Sequence, residues 1–322
     1  MRIDTHNHAI TEPVLELLRR EPEYRVRVEG GRVHHGERAA YELAPSFVDP
    51  AAKLAELERG GLEAAVVSVA PPLFSYHLHV DAGEALCRAA NRGMAEFCRD
   101  RPDRLAWMAH APMQVPERAA VVLSEAARAG CVGVEVGTSI AGRRLDEPEF
   151  RPFWEQAELL GLPVMIHPAY NEAHEALRPW YLQNVIGNPL ETTIAIERLI
   201  CAGVLDAHPG LRVLVVHAGG YFPFQAGRLR HARSVRPELE GAPEDPWAYR
   251  GQVVADTISH DRDALRFLVA RMGADNVVMG TDLPFDMATP HPMRALEEAA
   301  DPATARRIAE DNPARLFKVW GG

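Results

Sequence analysis

Lysine is nearly absent from this chain: of its 35 basic residues only Lys53 and Lys318 are not arginine. Cysteine is sparse too, with Cys87, Cys98, Cys131 and Cys201 scattered and no CxxC pair among them. This excludes a disulfide scaffold and a thiolate zinc site, and it points to free thiols in a reducing, cytoplasmic compartment. No apolar run approaches the roughly 20 residues that span a bilayer, and the opening MRIDTHNH lacks the apolar core of a signal peptide. Basic residues form no stripe or tail, and with 45 acidic residues the net charge is −10, which excludes a general electrostatic grip on nucleic acid.

What is present is 47% hydrophobic residue content over 322 residues, enough for a full core. Short β-branched apolar runs recur between longer stretches of helical periodicity, the pattern of βα repetition and a parallel sheet. Eight strands are predicted: Arg2–His6, Ala64–Ala70, Leu105–Ala111, Cys131–Gly137, Pro163–His167, Arg212–His217, Val253–Ile258 and Asn276–Gly280. Between them lie amphipathic segments such as ERAAVVLSEAARAG and DALRFLVARMG, each closed by a glycine. Eight such units predict a closed (β/α)8 barrel of the TIM type. No linker, repeat or low-complexity tract divides residues 1–322, so one domain is expected.

Two segments break the repeat. Residues 9–50 carry YRVRVEGGRVHHG, alternating about Gly30-Gly31, which predicts a small hairpin inserted after the first strand. Residues 168–190 form a long connection after strand five, rich in Trp, Tyr, His and Asn, and such loops in compact domains serve binding or cover a site.

Active sites of such barrels lie at the C-terminal ends of the strands, so polar residues that end apolar runs are the ones to collect. Strand one ends in His6-Asn7-His8, whose imidazoles, two residues apart, face the same way. His167 ends strand five, His217 ends strand six, and strand eight runs into Thr281-Asp282. Four histidines and one aspartate thus emerge at one rim. Imidazole nitrogen with carboxylate oxygen suits a divalent zinc, manganese, iron or cobalt ion.

DTHNH, the histidines after strands five and six, and GTDLPF resemble the amidohydrolase superfamily. SVAPPLFSY, APMQVPE, NPLETTIAI, HAGGYFPFQAGRLRH and RPEL resemble, within it, the aminocarboxymuconate-semialdehyde decarboxylases and related metal-dependent decarboxylases, over essentially the whole chain. The resemblance implies His6, His8, His167 and Asp282 as ligands of one metal ion, with zinc the first expectation. It implies His217 as the acid/base residue that activates the metal-bound water, and His217 and Asp282 as the catalytic residues. It also implies a homodimer in which the neighbouring subunit lends Arg236 to the site. Two-metal superfamily members bridge their ions with a carbamylated lysine at the end of strand four. Here that strand reads CVGVEVGTS, with Glu135 and no lysine, so a single ion is expected.

These parts predict release of CO2 from a small conjugated or aromatic acid. Arg228 and Arg236 are candidates to hold carboxylates bidentately, and Trp180 and Tyr181 to flank a planar substrate. His35 falls where the resembled enzymes carry a substrate arginine, and Asn184 where they carry an aromatic. Both changes point to a substrate smaller or less charged than a muconate semialdehyde. The same metal shell could instead hydrolyse a lactone or amide.

Overall fold

The computed structural model describes residues 1–35, 41–170 and 175–321. Its main sheet holds eight strands in sequence order: β1 (Ile3–Ala9), β2 (Ala64–Val69), β3 (Leu105–His110), β4 (Gly133–Gly137), β5 (Val164–His167), β6 (Val213–Val215), β7 (Val253–Asp256) and β8 (Val277–Val278). Every neighbouring pair is parallel. The sheet closes on itself where the Thr5 amide donates to Met279 O (2.9 Å) and the His8 amide to Leu283 O (2.9 Å). The result is the predicted (β/α)8 barrel, with helices such as Pro116–Arg128 and Arg262–Met272 filling the two amphipathic segments singled out in the sequence.

One predicted strand is shorter than expected. The run Arg212–His217 leaves extended geometry after Val215, because His217, Ala218, Gly219 and Gly220 all take positive φ (55°, 56°, 74° and 61°). A Cβ on Gly220 would lie 2.2 Å from Pro189 O, so only glycine fits this turn.

The insertion contains the expected hairpin, Val26–Glu29 paired with Arg32–His35. Gly30 and Gly31 both take left-handed φ (57° and 73°), as a two-residue type I′ turn demands. A third strand, Tyr41–Glu42, joins it; residues 36–40 of the insertion lie outside the described residues. The long connection after β5 continues through short turns at Glu175–Leu177, Pro179–Tyr181 and Gln183–Gly187 into the helix Asn188–Cys201, with residues 171–174 likewise outside the description. Among the described residues no helix is long and apolar enough to cross a membrane.

Strand alternation explains how the barrel makes a site. Side chains two apart share a face, so the inward residue of each strand is followed by another inward residue one layer higher. The lower layer is apolar and buried, with Val66, Met108, Met165, Val254 and Val278 packed in one cluster that Phe317 joins. One step up, the same strands present Ser68, His110, His167 and Asp256. Apolar filling thus forms a dry floor, and polar groups appear only at the C-terminal rim.

Candidate metal centre

Three of the rim histidines have their tautomers fixed by what their outer ring nitrogen touches. His167 Nδ1 lies 2.6 Å from Pro168 O and His8 Nδ1 3.2 Å from Val69 O; a carbonyl only accepts, so each Nδ1 carries the proton. His6 Nδ1 lies 2.7 Å from the Asp256 carboxylate and donates to it. In all three rings the lone pair is left on Nε2, directed into the barrel mouth.

Those Nε2 atoms converge on one point. His6 Nε2 is 3.1 Å from His8 Nε2, and Asp282 Oδ1 is 3.1 Å from His8 Nε2 and 3.5 Å from His6 Nε2. One ligand atom each from His6, His8, His167 and Asp282 lies within 4.8 Å of the others, and all four residues are buried. Two lone pairs facing each other at 3.1 Å repel unless a cation lies between them. His167 Nε2 and Asp282 Oδ1 are buried with no hydrogen-bond partner, a costly arrangement for a site of protein atoms alone. The residues fit a divalent ion.

Charge states agree. Burial pushes His8 down to about 4 and holds His167 well below the ordinary histidine range, so both rings are neutral and able to ligate at pH 7. Burial alone would raise the Asp282 carboxyl, but the surrounding His217, His8 and His6 rings outweigh it and keep the group well below the usual carboxylate range. Glu135, on β4, faces His8 Nδ1 at 3.9 Å rather than an arginine or lysine, and burial raises its carboxyl well above the ordinary value.

His217 stands apart from the four. Its Nε2 is 3.6 Å from Asp282 Oδ2, and its Nδ1 has no hydrogen-bond partner. The strained turn after β6 is anchored by Asp256, which accepts from the main-chain amides of His217 (3.0 Å), Ala218 (2.8 Å) and Ile258 (3.1 Å). Asp256 therefore supports both a ligand and the free histidine. Asp256 was open to the rule that found the histidines, being the inward polar residue on which the strand Val253–Asp256 ends, inside VVADTI. Gly280 makes room for this pairing, since a Cβ there would lie 2.9 Å from His6 Cβ and 3.1 Å from Asp256 Cβ.

The pocket above the cluster is narrow. His167, His217 and Asp282 form its base, and Tyr170, Tyr181, Asn184, Asn188, Phe285 and Asp286 form its wall. Tyr181 lines this pocket; Trp180, Arg228 and Arg236 are not among the lining residues. Trp180 is 85% exposed, and Arg236 pairs with Glu238 on the surface of its own chain. Asn184 donates to Tyr170 OH (3.1 Å), and His35 stacks on Tyr41, whose ring meets Phe285 beside His8. The hairpin thus reaches the site through an aromatic chain, and no lysine or arginine lines the described pocket.

A family model described as "Amidohydrolase" matches residues 3–319. The chain belongs to the amidohydrolase family. This amidohydrolase is 33% identical over 259 residues to the 2-amino-3-carboxymuconate-6-semialdehyde decarboxylase of Dictyostelium discoideum, covering 80% of this chain and 72% of that one. It is 27% identical to the gamma-resorcylate decarboxylase of Rhodococcus jostii, covering 83% of this chain and 87% of that one. Its fold matches the dihydroxybenzoic acid decarboxylase of Polaromonas, a structure with bound manganese and the inhibitor 2-nitroresorcinol, at a TM-score of 0.81 and 23% identity over 98% of this chain and 96% of that one. All three relatives are decarboxylases.

Proposed function

We propose that this amidohydrolase is a metal-dependent, non-oxidative decarboxylase of a small conjugated or aromatic carboxylic acid. The observation that carries this is the convergence of the Nε2 atoms of His6, His8 and His167 and the Asp282 carboxylate on one point, with His217 beside them and outside the ligand set. Relatives named as decarboxylases of a semialdehyde acid and of a dihydroxybenzoate support the reaction class.

Bound by His6, His8, His167 and Asp282, a divalent ion supplies Lewis acidity at the base of the pocket. Zinc is the ion we assign from the donor set, and the manganese of the Polaromonas structure makes manganese its competitor. His217 handles the proton. Its protonated ring gives a proton to the ring or chain carbon that bears the carboxylate, forming a C–H bond. A π pair of the conjugated system makes that C–H bond, and when the C–CO2 bond breaks its electron pair re-forms the double bond. The net change is acid anion plus one proton to CO2 plus the shortened product, and no water is consumed.

The wall narrows the substrate. Tyr170, Tyr181 and Asn184 offer hydroxyl and amide groups, Phe285 offers an apolar face, and among the described residues the only charged group in the wall is the carboxylate of Asp286. Within one subunit this lining suits a hydroxylated aromatic acid, and a cation to hold its carboxylate would come from a second copy of the chain.

We further assign a homodimer in which Arg236 serves the neighbouring site, with Arg228 a second candidate to hold a substrate carboxylate, in a single-domain chain of a reducing compartment. Exposed Trp180, Val185, Ile186 and Phe224, on the connection that carries Tyr181 and on the helix that carries Arg228, support burial of this face against a second copy. The four cysteines remain free thiols.

The test is a panel of 2-hydroxybenzoates, dihydroxybenzoates and amino- or hydroxymuconate semialdehydes assayed for CO2, run beside lactones and amides. CO2 release from at least one conjugated acid, abolished by chelator, is the expected result. Turnover confined to lactones or amides would replace the decarboxylase with a hydrolase.

A further inference from the structure

Lys53 is the most deeply buried cation among the described residues and one of the two lysines of the chain. It sits on the helix Pro50–Arg59, behind β1, and is completely excluded from solvent. An ammonium in such a place costs several kcal/mol unless its donors are satisfied. They are: Nζ donates to Asn7 Oδ1 (2.6 Å), to the main-chain oxygen of His8 (3.0 Å) and to Glu56 Oε2 (3.4 Å). A chain that uses arginine almost everywhere has a lysine here. Three acceptors around a point suit a compact ammonium and not a planar guanidinium fork.

The contacts continue past Asn7. Because Asn7 lies between His6 and His8, strand alternation turns it away from the barrel mouth and toward the helix layer. Its amide donates to Asp4 Oδ2 (2.7 Å), and the same Asp4 oxygen accepts from Thr281 Oγ (2.5 Å), while Thr281 Oγ accepts from the Leu283 amide (3.1 Å). Asp282, the fourth candidate ligand, is the residue between Thr281 and Leu283. The β1–β2 register also shifts between Asp4 and Asn7, so β1 is irregular where its two histidines leave it. One buried line of hydrogen bonds, Glu56–Lys53–Asn7–Asp4–Thr281, therefore crosses the seam of the barrel and runs behind three of the four candidate ligands.

We infer that Lys53 is a positioning residue for metal binding: from outside the site it fixes the irregular His6-Asn7-His8 segment and ties it to the segment that carries Asp282. This rests on the assignment of His6, His8, His167 and Asp282 as the metal site. Lys53 touches neither the ligand atoms nor the pocket, so its replacement acts through the spacing of the ligands.

The experiment is titration of metal-free protein with Mn2+, reading free Mn2+ by electron paramagnetic resonance, together with the visible spectrum of the Co2+-loaded protein. Lys53→Met should weaken Mn2+ binding roughly 10- to 100-fold, as outer residues of metal sites do, and should alter the Co2+ d–d bands, with far-ultraviolet circular dichroism unchanged. Glu56→Gln leaves the ammonium on Asn7 and His8 and should cost less affinity than Lys53→Met. If Lys53→Met does not fold, Lys53→Gln, which keeps two N–H donors without the charge, should show the same loss to a smaller degree. Unchanged Mn2+ affinity and Co2+ bands in a folded Lys53 variant would overturn the role. So would a Glu56→Gln loss as large as that of Lys53→Met, since the helix-side ion pair would then be what matters. The wild-type titration separates the two assignments: wild-type protein that binds no ion defeats the site itself, whereas wild type and Lys53→Met binding equally well defeats only the role of Lys53.

Discussion

The floor and the wall of this pocket are built on different terms. The floor is made of strand ends, where each side chain is aimed by a two-residue alternation and locked from behind: His6 by Asp256, His167 by Pro168 O, His8 by Val69 O and Ser68. The wall is made of loop and short helical turns, in which Tyr181 and Trp180 take positive φ and Trp180 and Val185 lie largely in solvent. Rigid geometry is thus found in the part proposed to hold a cation, and the looser wall is where a choice of substrate would be made. Changes in the floor should abolish turnover whatever the substrate, whereas changes in the wall should re-rank substrates.

The largest effects belong to the floor. His167→Ala removes a ligand whose Nε2 has no other partner, so the protein should lose its metal and with it measurable CO2 release; metal analysis beside the assay checks both. His217→Ala should keep the metal and lose roughly 100-fold or more in turnover, as removal of a general acid–base does. If metal is lost from His217→Ala and kept by His167→Ala, their roles are exchanged. Asp256→Asn should fall next. An amide cannot accept from His6 Nδ1 and three main-chain amides with both of its atoms, so metal affinity should drop roughly 10- to 100-fold. Equal affinity, measured by chelator competition, would mean that His6 is held by its strand alone.

The wall gives smaller and more selective effects. If Arg236 serves the neighbouring site, mixing Arg236→Ala with His217→Ala protein should restore part of the activity, because one class of mixed site holds both intact residues. No recovery after confirmed subunit exchange would return Arg236 to its surface pair with Glu238. Tyr181→Phe should leave metal content untouched and change KM for hydroxylated acids more than kcat. A change confined to kcat would draw Tyr181 into the proton path.

The same contrast explains what could be read in advance. The eight strands were legible because each is a short apolar run set between amphipathic segments, and the barrel rule then placed His6, His8, His167, His217 and Asp282 on one rim. Gly30-Gly31 marked the hairpin turn through its φ requirement. The early end of β6 was not legible: it depends on Asp256, 39 residues beyond His217, capturing two amides and holding a left-handed run. Lys53 was equally hidden, because nothing local to DPAAKLAELER says that this lysine reaches the back of strand one. The expectation that Arg236 binds substrate concerns a second subunit, whereas Arg228, expected at the site, is not among the residues that line the described pocket.

The most direct test is to strip the protein with chelator and restore one divalent ion stepwise while following CO2 release from the best acid of the panel. Activity should be negligible without metal, rise in proportion to added ion and level off at one equivalent per chain, since one ion is what His6, His8, His167 and Asp282 can share. Full activity in the stripped protein, or a plateau only at two equivalents, would contradict a single metal centre as the seat of the reaction.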